Sequence, residues 1–263
     1  MTMPQSISAP IAATRPVVRR ISQADLRWAL AEGWKDFMAK RGDLPVLAVL
    51  YPLVGILVVS VAFNAALLPL VFPLVAGLTI CGPAVASGFY EISRRREAGL
   101  DSSWLHFFDP LRGRRRTGLA ILTGGLAVLF LGWLGAAWLI YSSTMGAAPP
   151  AGPVEFLRRL FFTPEGWTLI VLGNLAGFAF ACVTLALAVV SFPMVVDRPI
   201  DADVAVATSI RAVAANPGVM ASWGLRVAAL LALGCLPAFV GLAVVLPVLG
   251  YATWRLYTRL VER

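Results

Sequence analysis

The stretch Gly118–Tyr141 reads GLAILTGGLAVLFLGWLGAAWLIY and contains no charged side chain. A helix of these residues, at about 1.5 Å per residue, is long enough to cross the roughly 30 Å hydrocarbon core of a bilayer. The whole chain has the same bias, because 59% of its 263 residues are hydrophobic and only 14% are charged. Soluble domains carry about a quarter of charged residues. The composition therefore predicts a protein that is solvated by lipid.

Five more apolar runs accompany this stretch, and together they predict an all-α, polytopic transmembrane helix bundle. Few residues separate the first run from the second, or the fifth from the sixth. We therefore expect six spans arranged as three hairpins, each introduced by a cytoplasmic amphipathic helix. Residues 1–16 are predicted to be a disordered tail and residues 17–263 a single membrane domain. The predicted spans are about 44–64, 66–90, 118–141, 166–196, 218–236 and 237–256.

Three amphipathic segments are predicted outside the spans. The first runs from Ser22 to about Lys40, and Ser22 forms a capping box with Asp25 at its start. Aromatic residues with basic neighbours, such as Trp34, favour a position in the cytoplasmic interface, and packing against another subunit is the alternative. The other two segments are a short interfacial helix, Val154–Phe162, and a helix within Asp197–Pro217.

Basic residues are distributed unevenly between the two sides of the predicted bundle. The N-terminal region and the loop after the second span each hold seven, whereas the long loop after the third span holds only Arg158 and Arg159. Because positive residues concentrate on the cytoplasmic side, both termini are predicted to be cytoplasmic in a bacterial inner membrane. This role in orientation also explains the net charge of +8, and we expect no binding to nucleic acid.

The even-numbered spans share a proline close to their cytoplasmic end, in the stretches Gly77–Pro83, Leu187–Pro193 and Gly241–Pro247. An internal threefold duplication explains this pattern, and chance placement of proline in Ala-, Val- and Leu-rich sequence is the alternative. With Pro69 and Pro73 also present, the second span is predicted to be kinked, since each proline frees a backbone carbonyl.

Residues that carry chemistry are few. His106 is the single histidine, the three cysteines lie in separate apolar runs, and no Gly-rich phosphate loop is present. We therefore predict no catalytic residue, no cofactor and no metal site. Two polar residues fall inside predicted spans. Arg226 has Asp197, Asp201 or Asp203 as candidate partners, and Asn174, with Gly173 and Gly177, favours close helix packing over ion coordination.

Aromatic and basic residues beside the spans are candidate contacts with the interface and with anionic lipids of the cytoplasmic leaflet. The charged segment 197–203 is a further candidate to contact the arginines of the neighbouring loop, or else a solvated turn. The candidate interface residues are Trp34, Arg94, Arg95, Arg96, Trp104, Arg114, Arg115 and Arg116.

Five stretches carry a resemblance to a family of bacterial predicted integral membrane proteins, domain of unknown function 2189. They are Trp34–Phe37, Gly88–Arg96, Ser191–Pro199, Ala207–Gly218 and Leu246–Tyr257. The resemblance extends over about Pro16 to Leu260, and the family brings no established activity. Some members have carried the label cytochrome c oxidase subunit I, which requires several histidines for two haems and a copper ion. With His106 alone, the sequence excludes that role and leaves an accessory or assembly role.

The expected function is therefore that of a non-catalytic accessory, assembly or scaffold subunit of a membrane complex, with a respiratory complex as one candidate, which binds other integral membrane proteins and lipid. A small transporter or channel built from three parallel hairpins is the alternative from a different class. An enzyme that acts on lipids is a third hypothesis.

The predicted topology is testable by labelling. Cysteines placed at Ala148 and at Arg114 should react with a membrane-impermeant reagent from opposite sides, because one lies in the long outer loop and the other in the basic loop. Labelling of both from the same side would contradict the orientation.

Overall fold

The computed structural model of this chain describes residues 16–39, 60, 67–113, 115–146, 148, 150–237 and 239–263. These residues form ten α-helices and three 3-10 helices, and they contain no β-strand beyond one isolated bridge. The all-α prediction is confirmed for them. The α-helices are α1 Gln23–Ala39, α2 Val71–Leu78, α3 Gly82–Glu97, α4 Arg115–Thr144, α5 Pro153–Phe162, α6 Pro164–Ala188, α7 Ser191–Asp197, α8 Ala202–Ala215, α9 Pro217–Cys235 and α10 Leu242–Leu260, and the 3-10 helices are Leu68–Leu70, Thr79–Cys81 and Trp104–Leu111.

Four stretches among the described residues are long and apolar enough to cross a membrane, and they coincide with the second to fifth predicted spans. The first predicted span, 44–64, lies outside the described residues. The sixth, 237–256, overlaps α10, which is helical but is not one of the four because the polar residues of its second half lower its mean hydropathy. The four stretches are Leu68–Glu97, Arg115–Thr144, Pro164–Asp197 and Pro217–Cys235.

Prolines interrupt two of the returning helices. The 3-10 helix Thr79–Cys81 separates α2 from α3 directly before Pro83, so the predicted kink is confirmed. A second interruption, at residues 189–190, separates α6 from α7 ahead of Pro193. Pro247, in contrast, lies within the continuous helix α10. The three prolines are therefore not structurally equivalent, and the threefold repeat remains a prediction.

Helix α1 begins with the predicted capping box. The Ser22 backbone N–H and its hydroxyl donate to Oδ2 of Asp25 at 2.9 Å and 2.8 Å. These two hydrogen bonds hold the pKa of Asp25 below its usual value. The helix therefore starts where the sequence places it, within one residue.

The apolar face of α1 lies along α10 of the same chain. Leu26, Ala29 and Phe37 are buried there. The contact is close at Gly33, where an added Cβ would lie 2.7 Å from the backbone nitrogen of Ala252. The chain itself therefore covers Leu26, Ala29 and Phe37 of this face, while Trp34 and Met38 remain exposed, and the position of α1 in the interface stays a prediction.

Both ends of the described chain meet beside this helix pair. Val18 and Val261 form the isolated antiparallel bridge, and the Arg19 N–H donates to the carbonyl of Leu260 at 2.8 Å. Asn216, which precedes α9, accepts a hydrogen bond from the Ile21 N–H at 2.8 Å. The start of α1, the start of α9 and the end of α10 therefore lie together.

We call this end of the bundle the basic end and define it by the carboxyl ends of α3, α7 and α10 and the amino ends of α4 and α9. At the opposite end, α4 finishes near the short helix α5, and Arg159 donates to the carbonyl of Met145 at 3.0 Å. Helix α5 matches the predicted segment Val154–Phe162, and α8 matches the helix predicted within Asp197–Pro217. Gly234 and Gly241 bring the end of α9 against the start of α10 there.

The crossing of α1 over α10 predicts the effect of adding one methyl group. Gly33→Ala should lower the thermal unfolding temperature of the detergent-solubilised protein by several degrees, because the new Cβ collides with the backbone of α10 and cannot be relieved by a side-chain rotation.

Gly125→Ala in α4 is the matched control, since an added Cβ there meets nothing within 4 Å. Both substitutions gain about 1 kcal/mol of helix propensity, so the control should be neutral or stabilising. Equal unfolding temperatures for the two variants would contradict the close contact.

Candidate functional site

The basic end holds a network of buried carboxylates and arginines, and Asp36 of α1 is its first centre. Asp36 is 3% exposed. Arg255 of α10 binds both of its oxygens, at 2.9 Å and 3.1 Å. Arg96 of α3 lies 3.0 Å from Oδ1, and the Ser93 hydroxyl donates to Oδ2 at 3.1 Å. One carboxylate thus joins three helices that are distant in sequence.

Glu91 of α3 is the second centre, and only 1% of its surface is exposed. Arg94 donates to its two oxygens at 2.9 Å and 2.6 Å. Arg115, the first residue of α4, donates at 3.1 Å, and Arg95 lies 3.7 Å from Oε1. Three guanidinium groups therefore surround one carboxylate, which ties the end of one candidate span to the start of the next.

The C-terminal residue Arg263 links two more acidic groups. Glu97 accepts hydrogen bonds from the Trp254 indole at 3.1 Å and from Arg263 at 3.0 Å. Arg263 also lies 3.5 Å from Asp197, which accepts the Tyr257 hydroxyl at 2.9 Å. Burial raises the pKa of Tyr257, and the negative charge of Asp197 adds to this effect, so the phenol stays a neutral donor.

His106 occupies the edge of the network between two aspartates. Its Nδ1 is 2.6 Å from Asp109, and its Nε2 is 3.1 Å from Asp101. Hydrogen bonds from the Ser103 N–H and from His106 hold the pKa of Asp101 below its usual value. No group of three metal-ligating side chains is formed by the described residues. Asp101 and Asp109, in the same loop, hold the His106 ring in place.

Carboxylates and arginines pair throughout this network. Five carboxylates lie within ion-pair distance of seven arginines, so the formal charges of this set sum to +2. A paired network of this kind fixes helices against one another, and most of its guanidinium groups are already occupied by carboxylates. The carboxylates are Asp36, Glu91, Glu97, Asp109 and Asp197, and the arginines are Arg94, Arg95, Arg96, Arg112, Arg115, Arg255 and Arg263.

The structure places most of the candidate interface residues inside this network rather than on the surface. Arg94, Arg95, Arg96 and Arg115 all bind carboxylates, as described above. Trp104 also turns inward, with its ring centre 5.5 Å from Phe107 and 5.8 Å from Phe89. Trp34 and Arg116 are exposed, as an interface contact requires, and Arg114 lies outside the described residues.

The polar residues of the spans also differ from expectation. Arg226 donates to the side-chain oxygen of Gln23 in α1 at 3.1 Å, and not to an aspartate. The aspartate-rich segment 197–203 contributes Asp197 to the C-terminal residue Arg263 instead of to the loop arginines. Asn174 is exposed, and its amide donates to the carbonyl of Ile170 in its own helix. Of the two glycines predicted to support close packing, Gly177 does so beneath Trp133, whereas an added Cβ at Gly173 meets nothing within 4 Å.

Sequence reasoning missed the three acidic residues that organise the site: Asp36, Glu91 and Glu97. A signal was present in the run Glu91–Glu97, which places two acids among three arginines at the end of an apolar helix. Acids at spacings of three and four residues from arginines pair along a helix. Asp36 gave no comparable signal, since its partners lie 57 or more residues away.

Glu91 and the exposed Glu155 of α5 offer a matched comparison. Each forms a pair with an arginine three residues later, but the Glu155–Arg158 side chains are 39% and 69% exposed. Glu91→Gln should cost about 3 kcal/mol, because it leaves three partly buried arginines without this counter-charge. Glu155→Gln should leave the stability nearly unchanged, because water screens the exposed pair.

Thermal unfolding in detergent distinguishes the two variants, with a fall of several degrees expected for Glu91→Gln only. Similar unfolding temperatures would show that Glu91 does not anchor α3 to α4.

Comparisons with known proteins agree with this architecture. Residues 71–197 match the family model described as predicted integral membrane protein, domain of unknown function 2189. The matched segment runs from α2 to the end of α7 and contains Glu91, Glu97 and Asp197, whereas α1, α9 and α10 lie outside it. No curated protein and no solved structure matches the chain. Over this segment, the chain is therefore similar to the family of predicted integral membrane proteins with domain of unknown function 2189.

Proposed function

We propose that this protein is a non-catalytic accessory, assembly or scaffold subunit that binds other integral membrane proteins through the outer faces of its spans. The observation that carries the proposal is an exposed row on α6. Trp167, Val171, Asn174 and Phe178 follow one another at spacings of four, three and four residues, so they lie on one helix face. The three apolar members are 56%, 53% and 70% exposed.

Asn174 lies in the outer half of the predicted membrane span 166–196. It is ten residues from Pro164, or about 15 Å along the helix, and is thus inside the apolar stretch. An amide that faces lipid at this depth loses the hydrogen bonds that water would supply. A neighbouring helix with a polar side chain can restore them and gains about 1 kcal/mol. An Asn within an apolar seam also fixes the register of two helices.

The charge network supports a structural role over an enzymatic one. Most of its carboxylates and arginines bind each other directly, so their hydrogen bonds hold α1, α3, α4 and α10 together. A general acid, a base or an anion-binding group requires a side chain that is available to a substrate.

A transporter or channel remains the second candidate, and the polar residues of the spans bear on it. Asn174 and Thr79 are exposed on the outer surface, and each bonds a carbonyl of its own helix. A substrate pathway requires polar groups that converge on the bundle interior at mid-depth. The positions of these two residues therefore favour a helix-binding surface over a pathway.

The proposed topology has six spans in three hairpins, with both termini on the cytoplasmic side of a bacterial inner membrane. It is supported by the position of the basic end, where the carboxyl ends of α3, α7 and α10 meet the amino ends of α4 and α9. The arginines concentrate at this end, which is the cytoplasmic side under the positive-inside rule. Anionic lipids of that leaflet are the proposed lipid partners.

The proposal is tested by affinity purification from native membrane in mild detergent, with quantification of whatever remains bound. A scaffold subunit should retain a partner in fixed stoichiometry, and Asn174→Leu should reduce that retention several-fold. Thr168→Val is the control, because this exposed hydroxyl bonds the carbonyl of Pro164 in its own helix and lies off the row.

A chain that purifies alone, or as a homo-oligomer that Asn174→Leu leaves unchanged, would contradict the scaffold role. Solute flux through vesicles that contain only this purified protein would support the transporter instead.

A further inference from the structure

The segment between α3 and α4 folds back along the span that precedes it. Gly99 has a φ of +67°, and the following N–H, of Leu100, donates to the carbonyl of Arg95 at 2.8 Å, which closes a Schellman-type turn at the end of α3. Phe107 then packs on Phe89, with ring centres 5.1 Å apart. Phe89 lies eight residues before the end of α3, so the chain has returned by about 12 Å along the helix.

The returning segment is the 3-10 helix Trp104–Leu111, and its three-residue repeat sorts its side chains into straight rows. Trp104, Phe107 and Pro110 form the inner row, which packs toward α3. His106 and Asp109 form the polar row that joins the charge network. The third row points outward and is described below.

Leu105, Phe108 and Leu111 form this outward row, which we call the apolar ridge. Their exposed fractions are 84%, 59% and 56%. Arg112 directly follows the ridge; its side chain is 80% exposed and lies 3.8 Å from Asp109. Arg116, the second residue of α4, is also exposed. A short helix with one exposed apolar row beside exposed guanidinium groups is typical of segments that lie in a membrane interface.

We propose that the apolar ridge inserts into the cytoplasmic leaflet at the boundary between headgroups and acyl chains, with Arg112 and Arg116 bound to anionic lipid phosphates. The depth of the segment supports this site. Phe107 lies level with Gly88 and Phe89, where α3 changes from apolar residues to the charged run that begins at Glu91. This level is the expected position of the interface along the span Leu68–Glu97.

The ridge does not depend on whether the protein is a scaffold or a transporter, because it concerns the lipid around the basic end and not the partner of α6. The residues at the interface also differ from those predicted from the sequence. Trp104 was predicted to lie at the interface but belongs to the inner row, and Leu105, Phe108 and Leu111 of the same loop are exposed instead.

The experiment uses the full chain with Cys81, Cys182 and Cys235, which are free thiols, replaced by alanine. Single variants Leu105→Cys, Phe108→Cys and Leu111→Cys carry a nitroxide label in vesicles of phosphatidylcholine with anionic phosphatidylglycerol. Relaxation by oxygen relative to a water-soluble nickel complex should be several-fold higher at these positions than at Arg112→Cys, the polar neighbour.

A second measurement in the same vesicles tests whether Arg112 and Arg116 bind anionic lipid. Omitting phosphatidylglycerol, or combining Arg112→Gln with Arg116→Gln, should lower the oxygen-to-nickel ratio at Leu105→Cys several-fold. No change in either case would overturn the role of the arginines in binding anionic lipid.

Two results would overturn insertion itself. Equal access of the nickel complex to the ridge and to Arg112→Cys would place the ridge in water. Spin–spin broadening at the ridge that disappears on dilution with unlabelled protein would place it against a second copy of the chain. All four labelled positions are exposed, so the substitutions leave the packed rows intact.

Discussion

The burial of the Asp36 carboxylate sets the arrangement of the helices around it. An unpaired charge at a position that is 3% exposed would cost several kcal/mol. Arg255 and Arg96 must therefore both reach Asp36, and they come from α10 and α3. Because the pairing with Arg255 is bidentate, it fixes the rotation of α10 as well as its height. The close contact at Gly33 follows, since the helices can approach only where no side chain separates them.

The inward turn of the arginines determines what the outside of the protein can do. A basic loop usually suggests an electrostatic surface, but here Glu91 and its neighbours neutralise the arginines within the fold. The exposed surface at the basic end then includes the apolar ridge and exposed arginines such as Arg19, Arg20, Arg112 and Arg116. The recognition properties of this end therefore come from the ridge together with these exposed cations.

The sequence predicted helices better than it predicted contacts, for a physical reason. Runs without charge and the Ser22–Asp25 capping box are local signals, and they located α1 and four spans. The partners of Asp36 and the inward turn of Trp104 depend on packing between segments that are distant in sequence. By composition alone, both Trp104 and Leu105 suit a membrane interface. The 3-10 helix, with three residues per turn, places Trp104 in the inner row and Leu105 in the ridge, and the loop sequence carries no signal for this helix.

The ends of the chain constrain how many times it can cross a membrane. The bridge between Val18 and Val261 holds the start of α1 beside the end of α10, so the number of crossings between them has to be even. Four candidate spans lie in that interval. Helix α10 returns from the contact of Gly241 with Gly234, at the far end of α9, to Leu260 at the basic end. If α9 crosses the membrane, α10 therefore covers the same height in the opposite direction.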